Sequence, residues 1–275
     1  MPDTQVDTQV LFSGLAIGES PRWHDGKLWL CNWCTQEIAT IDAAGTKDVV
    51  TLVPTTFPFS IDWLPDGRLL VVSGREAVVL RLEPDGALVT HADLTGIGSI
   101  FNEIVVDGRG NAYVNGDDLI ALIPANGATR QVASGVEWGN GMAVTPDNST
   151  LIVAESHGNR LTAYDIAADG SLSPGRVWAA LPGGFPDGIC IDADGAVWYA
   201  DVPNKHCVRV GEGGTVLQTV SADRGCFACM LGGDDGTTLF MLAAEWHGMD
   251  QIDDRARTGQ VITARAPAAG AGWPS

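Results

Sequence analysis

The chain has 275 residues, of which 45% are apolar and only 18% charged, and its formal net charge is −18. That is enough apolar material for a folded core, and the excess of carboxylates excludes nucleic acid and anionic membrane surfaces as general partners. The first residues, MPDTQVDTQVLF, have no basic region ahead of an apolar core, and no apolar run approaches spanning length. Neither a signal peptide nor a membrane segment is therefore expected; the expected location is the cytoplasm, with the six cysteines as thiols.

Val10 to Leu15 reads as a lone strand. After it, one hairpin unit recurs six times: GESPRWHDGKLWLCNW, FSIDWLPDGRLLVVSG, FNEIVVDGRGNAYVNG, GNGMAVTPDNSTLIVAES, PDGICIDADGAVWYAD and CFACMLGGDDGTTLFMLAAE. Each alternates apolar and polar residues on both sides of a tight Asp- or Gly-containing turn. The turns fall at 25, 66, 109, 147, 194 and 235, between 38 and 47 residues apart, which is the period of a four-stranded propeller blade. Third strands follow at Ile38 to Asp42, Val78 to Leu82, Leu119 to Ile123, Arg160 to Tyr164 and Cys207 to Val210, and fourth strands after them, such as Val216 to Val220. No window has helical periodicity with caps. The sixth unit lacks a fourth strand after Gln260 to Ala264. The spare N-terminal strand can supply it and remove an open sheet edge. The reading is an all-β, six-bladed β-propeller over residues 1–275, a single domain closed by its N-terminal strand. The Ala-, Gly- and Pro-rich segment 266–275 is expected to hang loose as a flexible tail.

In such a ring the residues just before the first strands and just after the second strands surround one axial mouth. Glu19, Asn102, Asn140 and Asp187 each lie six or seven residues ahead of their turns, so they stand at one depth and converge. Two carboxylates and two carboxamides are hard oxygen donors, which suits calcium best, with magnesium, manganese or zinc as alternatives. Taken singly, Asn140-Gly141 and Asp187-Gly188 also read as turn formers; four donors at one depth favour the metal. Ser60 and the Cys226 to Cys229 segment complete this first set. The second comprises Trp33 and Cys34, Asn115, Ser156 and His157, Asp201 to Asn204, and Glu245, Trp246 and His247.

These stretches resemble one known family. GESPRW at 18–23, Phe101-Asn102, NGMAV at 140–144 and PDGICIDADGAVWYAD at 186–201 are similar to the senescence marker protein/gluconolactonase/luciferin-regenerating-enzyme group of six-bladed propellers. The resemblance covers nearly the whole chain. It implies a divalent cation, commonly calcium, held by Glu19, Asn140 and Asp187, with Asn102 contacting substrate or completing the site, and it implies hydrolysis of lactones, related esters or organophosphates. Sugar-lactone hydrolases of the group have an Arg two residues before the channel Asn. Here that residue is Ile100, and Tyr113-Val114-Asn115-Gly116 holds none of the group's sugar-contacting acid. The expected partner is a small-molecule substrate less polar than an aldonolactone, bounded by Ile100, Trp33, Trp138, Phe185, His157 and Trp246 around Asn102, as ligand pockets usually combine an apolar wall with a few polar groups.

Asp187 can serve as ligand, as general base toward water, or as nucleophile. A binding module without turnover, or a non-hydrolytic reaction of a carbonyl substrate at the same metal, are the competing readings. Cys31-Cys34 and Cys226-Cys229 have the spacing of metal or redox pairs, but they lie along strands without zinc-knuckle loops. Cys34 and Cys226 read instead as thiols near the mouth. No nucleophile elbow, phosphate loop or dinucleotide fingerprint is present.

Overall fold

The computed structural model describes residues 6–55, 57–248 and 256–274. Among the described residues its elements are strands, 25 in chain order, and none of these residues forms a helix long and apolar enough to cross a membrane. The first strand, β1 (Thr8–Leu15), stands apart in sequence. Blade 1 is β2 (Ile17–His24), β3 (Lys27–Trp33), β4 (Glu37–Ile41) and β5 (Lys47–Leu52); blade 2 is β6 (Phe59–Trp63), β7 (Leu69–Ser73), β8 (Val78–Leu82) and β9 (Leu88–Asp93). Blade 3 is β10 (Ile104–Val106), β11 (Ala112–Gly116), β12 (Leu119–Ile123) and β13 (Arg130–Ser134); blade 4 is β14 (Gly139–Val144), β15 (Thr150–Glu155), β16 (Arg160–Asp165) and β17 (Arg176–Ala180). Blade 5 is β18 (Pro186–Asp192), β19 (Val197–Asp201), β20 (His206–Val210) and β21 (Val216–Ser221). Blade 6 is β22 (Gly225–Gly232), β23 (Thr238–Ala244) and β24 (Gly259–Arg265), completed by β1.

The inner strands touch in cyclic order, β2 to β6, β10, β14, β18 and β22 and back to β2, so the six sheets form a closed propeller. Burial follows from that ring. Inner-half strands such as β7, β11 and β19 are buried at every residue, while outermost strands such as β5 and β21 alternate or face water. The core is correspondingly divided into slabs between neighbouring blades: one joins blades 2 and 3 around Phe101 and Val114, another blades 4 and 5 around Trp178 and Ile189. Each large apolar side chain buried there contributes roughly 1.5–3 kcal/mol. The N-terminal strand closes the ring as the hairpin count requires: Thr8 pairs with Ala264 and Leu15 with Gly259.

The C-terminal segment departs from its expected looseness. Residues 270–271 form β25 (Gly270–Ala271), which pairs with Ile191 and Asp192 on the inner edge of blade 5. The Trp273 amide and carbonyl exchange hydrogen bonds of 2.9 and 2.8 Å with Val144 of blade 4. The Trp273 ring lies against Gly108 of blade 3, where a Cβ would approach it to 2.4 Å. Ala, Gly and Pro fit this course because it runs hard against other backbones. The segment crosses the end of the channel where the hairpins turn, and the opposite end is the mouth.

Candidate active site

Four inner strands are irregular at the mouth. The pairing of β2 with β3 slips between Glu19 and Arg22, of β14 with β15 between Gly139 and Met142, of β18 with β19 between Pro186 and Ile189, and of β22 with β23 between Cys226 and Ala228. A bulge takes one side chain out of its strand's alternation and bends the strand. Asn140 and Asp187 lie within such bulges and Glu19 borders one, where Ser20 has φ 48°, uncommon for a residue with a side chain. Gly141 and Gly188 are not turn residues; both lie within strands at ordinary φ. A Cβ on Gly141 would meet the Asp187 carbonyl oxygen at 2.6 Å, and one on Gly188 would meet Ala228 Cβ at 2.5 Å. Glycine there lets blades 4, 5 and 6 close around the mouth.

The predicted donors come together. Asn102 Nδ2 donates to Asn140 Oδ1 at 3.2 Å, and Asn140 in turn hydrogen-bonds Asp187. Burial first, then the charges of Asp187 and Glu103, push the Glu19 carboxyl well above its ordinary range. Burial, Glu103 and Asp201 do the same to Asp187, against the hydrogen bond from Asn140. The Oδ1 atom of Asp187 is sealed from solvent and has no hydrogen-bond partner. A buried carboxylate oxygen in that condition is costly unless a proton or a cation meets it. Among the described residues no group of three or more His, Cys, Asp or Glu side chains is close enough to hold an ion; the convergent set is two carboxylates with two carboxamides. Its hard oxygens and orphaned Oδ1 fit a divalent cation of the calcium, magnesium or manganese type.

A second ring of residues holds the first. Ser60 Oγ donates to the Asn102 carbonyl at 2.8 Å. Asn115 is fully buried; it accepts from the Glu103 amide at 3.1 Å and donates to the Asn140 carbonyl. Ser156 Oγ donates to the Pro186 carbonyl at 2.7 Å, just ahead of Asp187, and accepts from Asn140 Nδ2 at 3.5 Å. Burial alone would raise Asp201, but His206, Asn204 and the Phe185 amide hold it below its ordinary value, so Asp201 anchors the Phe185 loop.

Glu103 was missed by sequence reasoning. Its Oε1 accepts from Ser20 Oγ at 3.0 Å, Arg22 Nη2 at 3.0 Å and the Ile104 amide at 2.9 Å. Its charge reaches both Glu19 and Asp187. The signal was present: an acid directly after the channel residue Asn102 and before an apolar strand, the same context that singled out Asp187. Arg22 continues the network, with Nη2 donating to the Ile104 carbonyl at 2.8 Å and Nε standing 3.8 Å from Asp62 Oδ1. Asp62 accepts from the Val106 and Trp63 amides at 2.7 and 2.9 Å. Burial pushes it up to about 6, with Arg22 opposing.

The proposed apolar wall divides. Trp138 is 60% exposed and stacked on exposed His157 at 4.8 Å, while Phe185 and Ile100 are also exposed. Trp33 and Trp246 are half-buried and already engaged, Trp33 by donating to the Phe59 carbonyl at 2.7 Å and Trp246 edge-on to Phe227 at 5.4 Å. Gly116, the last residue of the segment without the sugar-contacting acid, has no room for a side chain: a Cβ would meet the Ile100 carbonyl oxygen at 2.1 Å. Asp117 is spent on the same loop, accepting from the Ser99 amide at 2.8 Å and Oγ at 3.0 Å. Cys226 is not a mouth thiol. It is fully buried and shares one apolar cluster with Cys190, Cys207 and Cys229, whereas Cys31 belongs to another. None of the six cysteines is in a disulfide.

Known proteins agree with this architecture. The chain is 27% identical over 259 residues to regucalcin of Xenopus laevis, covering 86% of this chain and 85% of that one. It is 26% identical over 226 residues to the pentonolactonase XacC of Haloferax volcanii, covering 76% and 75%. The solved structure of a calcium-binding protein, regucalcin, from Agrobacterium tumefaciens superimposes with a TM-score of 0.80 at 19% identity, covering 98% of this chain and 96% of that one. The model of the SMP-30/gluconolactonase/LRE-like region matches residues 17–245, and with that match the chain belongs to the SMP-30/gluconolactonase/LRE-like family.

Proposed function

We propose that this protein is a divalent-metal-dependent hydrolase of a small lactone or related ester, less polar than an aldonolactone. The observation that carries the reading is the sealed, unpartnered Oδ1 of Asp187 beside Glu19, Asn140 and Asn102. Two relatives point the same way, a pentonolactonase and a calcium-binding regucalcin. Glu19, Asn140 and Asp187 hold the ion, calcium first. A cation bound there supplies Lewis acidity toward an ester carbonyl or a water.

The remaining work falls to the chain's own groups. Asn102, held by Ser60 through its carbonyl and by Asn140 through its side chain, orients the substrate. Asp187 takes the proton as water adds to the carbonyl carbon; the ring C–O bond then breaks, and the leaving oxygen takes up a proton to give a hydroxy acid. Ile100, Trp138 and Phe185 cover the apolar part of the substrate. A less polar substrate is supported by Ile100 where sugar-lactone hydrolases of the group have an Arg, and by the lack of an acid in Tyr113-Val114-Asn115-Gly116. The test is a panel of aliphatic, aromatic and sugar lactones, esters and phosphotriesters, assayed with calcium, manganese or zinc. Turnover of apolar lactones that disappears on chelation supports the reading; full activity in metal-stripped protein defeats it.

A further inference from the structure

Between blades 2 and 3, at the hairpin-turn end and away from Glu19 and Asp187, lies a cavity of about 290 Å³. Leu64, Pro65, Ile123 and Pro124 are the large apolar part of its lining, and the cavity is open to solvent on one side. Its polar lining carries two guanidinium groups, Arg68 and Arg109, and the His91 ring against the single carboxylate of Asp66. That is a local excess of positive charge in a chain with 34 acidic and 16 basic residues.

The three basic groups are not equally committed. Arg68 spends Nε and Nη2 on Asp66 Oδ2, at 2.9 and 2.6 Å, which leaves Nη1 uncommitted. Arg81 Nη1 lies 3.3 Å from His91 Nδ1. A guanidinium only donates, so Nδ1 accepts and the ring proton sits on Nε2. Burial, Arg81 and Arg68 together favour the neutral ring. Arg109 is exposed, and its guanidinium makes no hydrogen bond or ion pair among the described residues. Donors with spare capacity therefore share the lining with apolar side chains. A guanidinium edge matches a carboxylate in planar, bidentate fashion, and the apolar side chains call for an apolar body.

We infer that this cavity is a second ligand site, remote from the mouth, for a small carboxylate with an apolar body such as an aryl or branched alkyl acid. The inference stands on the cavity alone and does not rest on the proposed reaction. Phenylacetate is a suitable probe, titrated calorimetrically into the full chain with inorganic phosphate as a comparison. Affinity in the millimolar range is what a ligand of this size gains. Phenylacetate should bind saturably, and Arg109→Ala should weaken it about tenfold or more, the worth of a charge-assisted hydrogen bond. Binding should survive both Asp187→Ala and chelation, which separates this site from a metal at the mouth. Circular dichroism checks that Arg109→Ala is folded. The proposal is overturned if no saturable binding is seen, if Arg109→Ala binds equally well, if binding is lost with Asp187→Ala or chelator, or if phosphate binds as tightly as phenylacetate.

Discussion

Two groups of buried acids share the central channel, and the protein treats them differently. Glu103 and Asp62 lie around the guanidinium of Arg22, which reaches both from β2 and ties Glu103 to the Ile104 carbonyl. Among the described residues Glu19 and Asp187 are in no such ion pair; Asp187 raises the proton affinity of Glu19, Glu103 raises that of both, and one Asp187 oxygen has no partner. Glu19 and Arg22 are three residues apart on the same strand. The chain supplies its own counter-charge to one group and leaves the other without an ion pair. Asp187 lies within a bulge, which re-aims a side chain, and another bulge separates Glu19 from Arg22.

The largest expected effect is on the unpaired group. Asp187→Ala should lower hydrolysis by roughly 10³-fold or more, the scale of losing a principal electrostatic element of a hydrolytic site. Far-UV circular dichroism should not change, and the metal-free variant should melt no lower than the wild type, because an uncompensated buried charge has been removed. A variant retaining a tenth of the wild-type rate would remove the reason for separating the two groups. Next comes the paired group. Arg22→Met leaves Glu103 and Asp62 buried without their cation, which costs about 3–5 kcal/mol when one partner of a buried pair is removed. Urea denaturation measures it, and Glu103→Gln in the Arg22→Met background should recover part of the loss. A cost near that of a surface substitution would show that Arg22 does not hold this layer.

A third test uses pH. Asp62 titrates near 6 in the fold against an ordinary 3.8, so between those values the folded state holds more protons than the unfolded one. Stability from this group is then greatest below pH 3.8 and falls as pH rises through 6. At about 1.4 kcal/mol per unit the total is roughly 3 kcal/mol. In chelated protein, the wild-type stability minus that of Asp62→Asn should decline by this order across the window. A difference that does not change with pH would mean Arg22 offsets the burial of Asp62 more fully than its distance of 3.8 Å suggests.

The two groups were not equally legible in the sequence. Asp-Gly turns and alternating strands are local signals, so the propeller could be counted off, and the equal spacing of Glu19, Asn102, Asn140 and Asp187 ahead of their turns then placed them at one depth. Arg22 and Glu103 find each other across 81 residues, with no local signal of the pairing. Within GESPRW the arginine reads as any solvated side chain, and Glu103 precedes a strand of only three residues. The C-terminal segment was misread for a related reason. Ala, Gly and Pro are common to loose chain and to chain threaded against other backbones; only the contacts with Ile191, Val144 and Gly108 distinguish the two. The bulges left a trace as Pro21 near Glu19 and as Gly141 and Gly188 directly after Asn140 and Asp187, but those residue types also mark turns.

The smallest expected effect is the one that most directly separates the groups. A cation that binds only the folded state stabilises it by RT ln(1 + [L]/Kd), about 2.7 kcal/mol at a hundredfold excess over Kd. Calcium added to chelated wild type should raise the melting temperature accordingly, and the same should hold for Arg22→Met from its lower starting point, because its lost partners belong to the other layer. Asp187→Ala should not respond. The three curves test one statement, that the ion meets Glu19 and Asp187 and not Glu103 and Asp62. A calcium response that survives in Asp187→Ala but vanishes in Glu103→Gln would move the cation one layer deeper and make Asp187 a base without a ligand's role.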